Sequence, residues 1–465
     1  MKDLTQGNMY KNFFLFSIPI VLSSLLSSAF NTINSSIAGL YLGAEGLAAT
    51  SAALPLLNVI DSLFFGHAYG LSVFSANLFG SKDYEKLKRT IYANVFLTFG
   101  AAAVLFLIAA IFSEPILHLL NVEDKIFDDT QKYFCIVGVS MVFSLSAHMF
   151  VTCCHAMGET KFPLYLSFAS SVLHLIGSIL VVAVWNFGVV GIAVKSLVLN
   201  ALVMGCYWLR FRKYFRQLGV GTKIPRIHWK DIKPIFSYSL PNMFQQSAMY
   251  VAALLIAPVQ NGLGYLALAA ISVAGKIQNI LSSFYYSASK TASNYIAQCV
   301  GAQKFHKIKK AVVAALVQGF IFFAVLFIPI FLFPDFVAGV FIRQSEEPEV
   351  FNYIILYIRT YLPFLCLHVF CGIFHSILRG LKSNAHLIVS SMIGAFGKMA
   401  FAMLLAPSFG VQGIFAASAL GWGLECIYVT VLCVTGLWVP SPLRYKVLNR
   451  KKKERKALSE ETKTA

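Results

Sequence analysis

Long apolar runs recur along almost the whole chain, and their length limits the folds that it can adopt. An α-helix needs roughly 20 apolar residues to cross the ~30 Å hydrocarbon core of a bilayer. Twelve runs of this kind are separated by clusters of charge or by Gly, Pro and Asn. Their approximate bounds are 13–40, 47–78, 91–112, 133–156, 162–185, 189–209, 235–259, 266–299, 312–333, 354–378, 386–406 and 411–437. The sequence therefore predicts an all-α integral membrane protein with 12 transmembrane helices.

Composition and motifs exclude several classes of protein. Hydrophobic residues make up 58% of the 465 positions and charged residues only 12%, whereas about a quarter of a soluble domain is charged. The net charge of +18 lies in the loops between apolar runs, so we expect lipid and not nucleic acid as its partner. No P-loop, H-E-x-x-H or G-x-S-x-G occurs. We expect no enzyme, no cofactor and no metal site.

The distribution of basic residues predicts the orientation in the membrane. Thirty Lys and Arg fall in the termini and in alternate loops, whereas the opposite loops contain only Lys125, Lys132 and Arg343. Cytosolic loops are the ones enriched in Lys and Arg. We therefore predict a multi-pass protein of the plasma membrane with both termini in the cytosol.

The two halves of the chain repeat each other. Residues 42–89 align without a gap with residues 263–310, with 14 identities in 48 positions, and FGVVGIA at 187–193 matches FGVQGIF at 409–415. Six spans in each repeat place both repeats in the same orientation, which predicts an N-lobe and a C-lobe related by a pseudo-two-fold axis along the membrane normal. A cleft between such lobes would hold the substrate near the midplane.

A basic segment near the middle of the chain predicts the boundary between the lobes. Residues 210–233 carry eight Lys or Arg, and Gly219, Gly221 and Pro225 interrupt a helix there. The predicted parts are a cytosolic N-terminus 1–12, the N-lobe 13–209, the linker 210–234, the C-lobe 235–437 and a basic cytosolic tail 438–465.

Ionisable residues within membrane spans are costly and indicate function. Asp61 lies near the middle of its span, with no Lys or Arg within one helical turn. It is the strongest candidate for a carboxylate that titrates or binds a cation; the alternative is a permanent pair with a lysine such as Lys276. Glu425 is a second candidate, although Lys398 on the preceding span could neutralise it.

Amide side chains open the seventh span just after Pro241. Uncharged amides suit a pocket of broad specificity, whereas the alternative is hydrogen bonding between helices. The candidates for substrate binding are Asn242, Gln245, Gln246 and Lys276.

Several stretches together resemble the multidrug and toxic compound extrusion (MATE) family. They are FNTINSSIAGLYLG in the first span, LFGSKDYEKLKR after the second, LPNMFQQSAMY opening the seventh, AQCVGAQK after the eighth, and the two FG-x-x-G turns. The resemblance covers the chain to about residue 440. It implies an antiporter that exports small organic, often cationic, compounds from the cytosol against an inward flow of H⁺ or Na⁺. We expect a monomer.

The resemblance also places the ion-coupling positions. Many members have Asp, Asn and Asp at the positions of Asn34, His174 and Ser178, and the sodium-coupled branch has Glu and Asp at the positions of Met249 and His368. Sodium prefers hard oxygen ligands, whereas imidazole accepts a proton near neutral pH. We therefore predict coupling to H⁺ over Na⁺. The ion-coupling candidates are Asp61, Asn34, His174, Ser178, His368 and Glu425.

Two other functions are compatible with the sequence. One is a lipid-linked oligosaccharide flippase of the wider superfamily, which usually needs more spans and a strongly basic cavity. The other is a membrane scaffold that transports nothing.

Overall fold

The computed structural model describes most of the chain as helix. The described residues are 4, 9–52, 54–119, 122, 124–345 and 347–448, without the side chains of 28–29, 31–40, 43–48, 51–52, 54–56, 119 and 445. These residues contain no β-strand, and helices satisfy every backbone hydrogen bond within the segment, as a lipid environment requires. The prediction of an all-α fold is confirmed.

Fifteen α-helices occur in the described residues, and short π and 3₁₀ segments join or extend some of them. The α-helices are α1 (Met9–Ala52), α2 (Leu54–Gly80), α3 (Tyr84–Ile111), α4 (Ser113–Leu119), α5 (Asp124–Ala156), α6 (Lys161–Ile179), α7 (Gly188–Gln217), α8 (Trp229–Asn261), α9 (Tyr265–Gly301), α10 (Ile308–Leu332), α11 (Pro334–Phe341), α12 (Pro348–Leu356), α13 (Leu365–Gly380), α14 (Asn384–Thr435) and α15 (Ser441–Leu448).

The predicted apolar runs fall on these helices. Nine helical segments in the described part of the chain are long and apolar enough to cross a bilayer. α14 covers the last two predicted runs and is broken at Gly410, whose φ of 57° and ψ of −131° are not helical. α1 stays helical to Ala52, past the predicted start of the second run at residue 47. The count of twelve spans stays a prediction.

The chain divides into two compact units. The first contains Ile18–Met243, and the second contains Leu4–Ser17 together with the described residues from Phe244 onward. The predicted lobes began at residues 13 and 235, so the structure differs from them at the start of each repeat. The first turns of α1 belong to the second unit, and the first turns of α8 belong to the first unit.

Close helix contacts inside each unit explain this exchange. In the first unit, a Cβ added at Gly70 would lie 2.4 Å from Ser239 Cα, and one at Gly66 would lie 2.4 Å from Met243 Cα. The two glycines let α2 and α8 meet backbone to backbone. In the second unit, Ser17 and Thr291 are hydrogen bonded with their hydroxyl oxygens 3.1 Å apart.

The repeat is visible in the backbone as well as in the sequence. Lys82 and Gln303, which are 221 positions apart, both adopt a left-handed conformation, with φ of 62° and 56°. Each follows a long helix and closes the same turn, because Asp83 N donates to Leu78 O and Lys304 N donates to Cys299 O. Gly188 and Gly410 form another matching pair, with φ of 60° and 57°.

The linker between α7 and α8 is shorter than the predicted linker 210–234. α7 continues to Gln217, so the first eight residues of the predicted linker are helical. Lys88, which is buried, donates from Nζ to the carbonyl oxygens of Val220 and Gly221 at 2.8 and 3.2 Å. A lysine ammonium at free carbonyls after a helix is favourable. Of the predicted basic tail, the residues beyond Leu448 lie outside the described chain.

Candidate functional site

A buried acidic side chain on α14 has a histidine partner on α13. Glu425 is 4% exposed, and its Oε1 lies 2.8 Å from His375 Nε2. Ser390 Oγ lies 2.9 Å from the same ring nitrogen and donates to Glu425 Oε1 at 3.4 Å. An ionisable pair held in this way among apolar helices is the most concentrated polar feature of the second unit.

A second pair of side chains fixes the other edge of the histidine ring. Gln245 Nε2 lies 3.5 Å from His375 Nδ1, and Arg379 donates to Gln245 Oε1 at 3.0 Å. Gln245 and Arg379 are both buried. A chain of contacts therefore runs from Arg379 through Gln245 and His375 to Glu425, and we call these four residues with Ser390 the α13–α14 network.

The donors in the network determine where the ring proton lies. Arginine can only donate, so the amide oxygen of Gln245 faces Arg379 and the amide nitrogen faces His375. The amide nitrogen donates, so Nδ1 of a neutral ring accepts and the ring proton is on Nε2, toward Glu425.

A glycine makes room for the carboxylate. A Cβ added at Gly394 would lie 2.6 Å from Glu425 Oε2. Any larger residue would have to displace the carboxylate from His375. The expected neutraliser of Glu425 was Lys398; the hydrogen-bond partners that the structure shows are His375 and Ser390.

His368 lies about two turns before the first network residue on α13, and it is enclosed by aromatic rings. It stacks on Trp422, with ring centroids 5.2 Å apart, and meets the edge of Tyr285 at 5.9 Å. Its Nδ1 is buried and has no hydrogen-bond partner among the described residues. The structure thus places this candidate in contact with aromatic rings, with one ring nitrogen unsatisfied.

In the first unit, two predicted ion-coupling residues contact a lysine. Lys195 on α7 donates from Nζ to Ser178 Oγ at 2.7 Å and to the carbonyl oxygen of His174 at 3.3 Å. Gly177 permits this approach, because a Cβ there would lie 2.9 Å from Lys195 Cδ. The ammonium group of Lys195 therefore contacts two oxygen atoms of α6, the Ser178 hydroxyl and the His174 carbonyl, that could otherwise be ligands of a cation.

Asp61 stands apart from these contacts. It is half-buried on α2, and no hydrogen bond or ion pair reaches it within the described part of the chain. The side chain of Asn34, the neighbouring candidate in the first span, lies outside the described residues. Asp61 is therefore a carboxylate whose charge the described side chains do not neutralise.

The substrate-binding candidates lie in different surroundings. Asn242 is buried in the first unit and donates to Tyr238 O at 2.6 Å, and Gln245 is held in the α13–α14 network. Both positions fit hydrogen bonding between or within helices. Gln246 is half-buried and Lys276 is exposed on α9, so these two remain the candidates that face outward.

Sequence reasoning missed His375 and Arg379. Arg379 follows the apolar run predicted at 354–378, and it is buried on α13. A buried acid within a span needs a partner, but no sequence pattern pairs His375, which lies within that run, with Glu425. Among the described residues, no group of three His, Cys, Asp or Glu side chains could hold a metal ion.

Apolar helices in two repeated units, with ionisable side chains among them, define a multi-pass membrane transporter. A model of the MatE family matches residues 19–180 and 241–404, which is more than half of the chain, and the protein belongs to this family. The expected resemblance to MATE multidrug efflux transporters is confirmed.

Relatives and solved structures agree with this assignment. The chain is 25% identical over 460 residues to the probable multidrug resistance protein YoeA of Bacillus subtilis, covering 95% of this chain and 92% of that protein. It is 24% identical over 407 residues to the FAD transporter of Shewanella oneidensis, covering 83% and 87%. A crystal structure of a mutant of the Vibrio cholerae MATE transporter VcmN has the same fold, with a TM-score of 0.84, 18% identity and coverage of 92% and 98%.

Proposed function

We propose that the protein is a secondary active antiporter that exports small amphipathic organic compounds from the cytosol, driven by H⁺ rather than Na⁺. The contact between Glu425 and His375 carries the proposal. The two side chains are in contact among apolar helices, and histidine and carboxylate side chains are the groups through which membrane proteins pass protons. Adding one proton changes the net charge of the α13–α14 network, and the cost of burying that charge favours a conformation that admits water.

Asp61 supplies a second acidic group in the proposed mechanism. Its carboxylate has no partner in the described chain, so it can exchange a proton or bind a cation without breaking a salt bridge. This residue on α2 therefore supports coupling to an ion and carries no information on the charge of the exported compound. Sodium coupling is less well supported, because Ser178 already accepts a hydrogen bond from Lys195 at 2.7 Å.

The proposed arrangement is a monomer in the plasma membrane with both termini in the cytosol. The basic loops support this orientation. Cysteines introduced at Gly221 and Lys304 should react with an impermeant reagent only from the cytosolic side, and those at Asp124 and Glu347 only from outside. Labelling of Gly221 and Asp124 from the same side would contradict the orientation.

Efflux-deficient cells provide the test of export. Cells that produce the protein should accumulate less tetramethylrhodamine methyl ester, fluorescein, or both than cells that produce Glu425→Gln at the same level. If the two kinds of cell accumulate each dye to the same level, the result would support the scaffold alternative. Complementation of a strain that lacks its cell-wall precursor flippase would support the lipid-linked oligosaccharide alternative.

A further inference from the structure

One face of α9 is polar over much of its length. Residues spaced alternately by four and three positions share a face of an α-helix. On α9 such a face is exposed or half-buried, while Ala274, Ile277 and Leu281 on other faces are buried. We call this face the α9 stripe, and its members are Ser272, Lys276, Asn279, Ser283, Tyr286 and Lys290.

Hydrocarbon is a poor environment for this stripe. Charged side chains in a membrane span face water or protein rather than lipid. The hydroxyls of Ser272 and Ser283 donate to carbonyl oxygens of their own helix at 2.8 and 2.9 Å, but the lysines have no such partner in the described chain. Lipid-facing surface looks different: α3 exposes Val104 and Leu107, at 58% and 62%. The composition of the α9 stripe is therefore typical of a surface that faces water.

The charge of the stripe is positive and has little to balance it. Lys276 and Lys290 each lie eleven residues from one end of α9, and the fourteen positions between them correspond to ~21 Å. Within the described parts of α9, α10, α13 and α14 the only carboxylate is Glu425, which already contacts His375 at 2.8 Å. The two ammonium groups thus lack a carboxylate partner on these helices.

The repeat shows that this charge is particular to the second unit. At an offset of 221, Lys276 and Lys290 correspond to Pro55 and Tyr69 on α2. α2 carries Asp61 and no lysine. The fold therefore does not need a basic residue at either position.

We propose that the α9 stripe lines the water-filled path of the substrate and binds the anionic group of an amphipathic organic anion. The inference rests on the proposed export function and adds the charge of the cargo. Lys276 or Lys290 would pair with a carboxylate, sulfonate or phosphate, and the ring of Tyr286 would contact an apolar part of the same molecule.

Two xanthene dyes of opposite charge test the inference by binding to purified full-length protein in detergent. Fluorescein is an anion and tetramethylrhodamine methyl ester is a cation of similar shape. We expect fluorescence anisotropy to show tighter binding of fluorescein by the wild type. The double variant Lys276→Glu with Lys290→Glu should bind fluorescein about tenfold or more weakly and should bind the cation more tightly.

Matched variants separate the stripe from general charge. Lys310→Gln removes an exposed lysine from the start of α10 in the same unit and should leave the affinity for both dyes unchanged. Lys276→Gln and Lys290→Gln, which retain polarity, should each give a smaller loss of fluorescein binding than the double reversal. A preference of the wild type for the cation, or binding that is equal in the wild type and the double variant, would overturn the inference.

Binding and transport distinguish failure of this inference from failure of the proposed function. In one outcome, fluorescein binding depends on the lysines but the dye is not transported in proteoliposomes of phosphatidylcholine. This outcome would contradict export and support the anion site. Transport of the dyes that is indifferent to both lysines would retain export and overturn the anion site. If fluorescein-labelled phosphatidylethanolamine competes more strongly than free fluorescein, the anionic group that the stripe binds belongs to a lipid-linked compound.

Discussion

The two units carry their buried charges in different ways on a repeated scaffold. In the second unit, Glu425 is held by His375 at 2.8 Å and belongs to a network that also contains Arg379. In the first unit, Asp61 has no partner in the described chain, and Lys195 contacts Ser178. The comparison teaches that the repeat fixes the helices while the charges differ, so under the proposed function the two units would have different parts in ion coupling.

This difference predicts that substitutions in the two units change stability and transport to different extents. Residues of the α13–α14 network should affect both, because each member is held by hydrogen bonds to another member. Asp61 should affect transport alone. The predictions below run from the largest expected change in stability to the smallest.

Loss of the carboxylate should give the largest effect. Glu425→Ala leaves the imidazole of His375 and the hydroxyl of Ser390 without the acceptor that both contact, and each buried polar group left unsatisfied costs about 1–3 kcal/mol. Thermal unfolding of the purified protein should show this loss. His375→Ala combined with Glu425→Ala should cost less than the sum of the two single variants, because contacting residues are coupled; additive costs would show that the pair does not act as a unit.

Crowding of the carboxylate should give an intermediate effect. In Gly394→Ala the new Cβ would lie 2.6 Å from Glu425 Oε2, and overpacking of this kind costs about 1–3 kcal/mol. Gly423→Ala on the same helix is the matched control, because a Cβ there has nothing within 4 Å. The control should be neutral or slightly stabilising, since alanine favours helix over glycine. Equal melting temperatures for the two variants would contradict the position of Glu425.

Asp61, which has no partner among the described residues, should give the smallest change in stability. Asp61→Asn should leave the free energy of unfolding within about 0.5 kcal/mol of the wild type, as expected where no described partner is lost. Transport driven by a pH gradient should fall about tenfold or more, because the titrating group is gone. An equal loss of folded protein would instead support the alternative in which Asp61 forms a permanent pair.

Hydropathy predicted where most of the long helices lie, but it did not predict which polar side chains contact each other. Apolar runs and basic loops determine where a helix can cross a membrane. Stretches that match at offsets of 221 and 222 predict the repeat, and the matching turns at Lys82 and Gln303 agree with it. Which helix an acid faces depends on packing, and neither run length nor charge order contains that information. For Glu425 the sequence offered Lys398 on the preceding span as a possible partner, whereas the structure shows a contact with His375 on α13.

The exchange of the first turns between the units was missed for a related reason. Gly66 and Gly70 indicate that another helix can pack closely against α2, but the sequence does not indicate which helix it is. Ser17 and Ser239 are equivalent positions in the repeat, yet one packs through a hydroxyl and the other through its backbone. Such contacts are decided in three dimensions, so the lobe boundaries at 13 and 235 could not be refined from the sequence.

Proteoliposomes test the central claim, that protons drive export through this protein, most directly. Purified protein would be reconstituted without sodium, an inwardly directed or outwardly directed pH gradient imposed, and dye movement followed against Glu425→Gln as the control. The account predicts dye movement whose direction reverses with the pH gradient, no stimulation by a sodium gradient, and loss of the response in Glu425→Gln. Movement that requires a sodium gradient and ignores the pH gradient would contradict it.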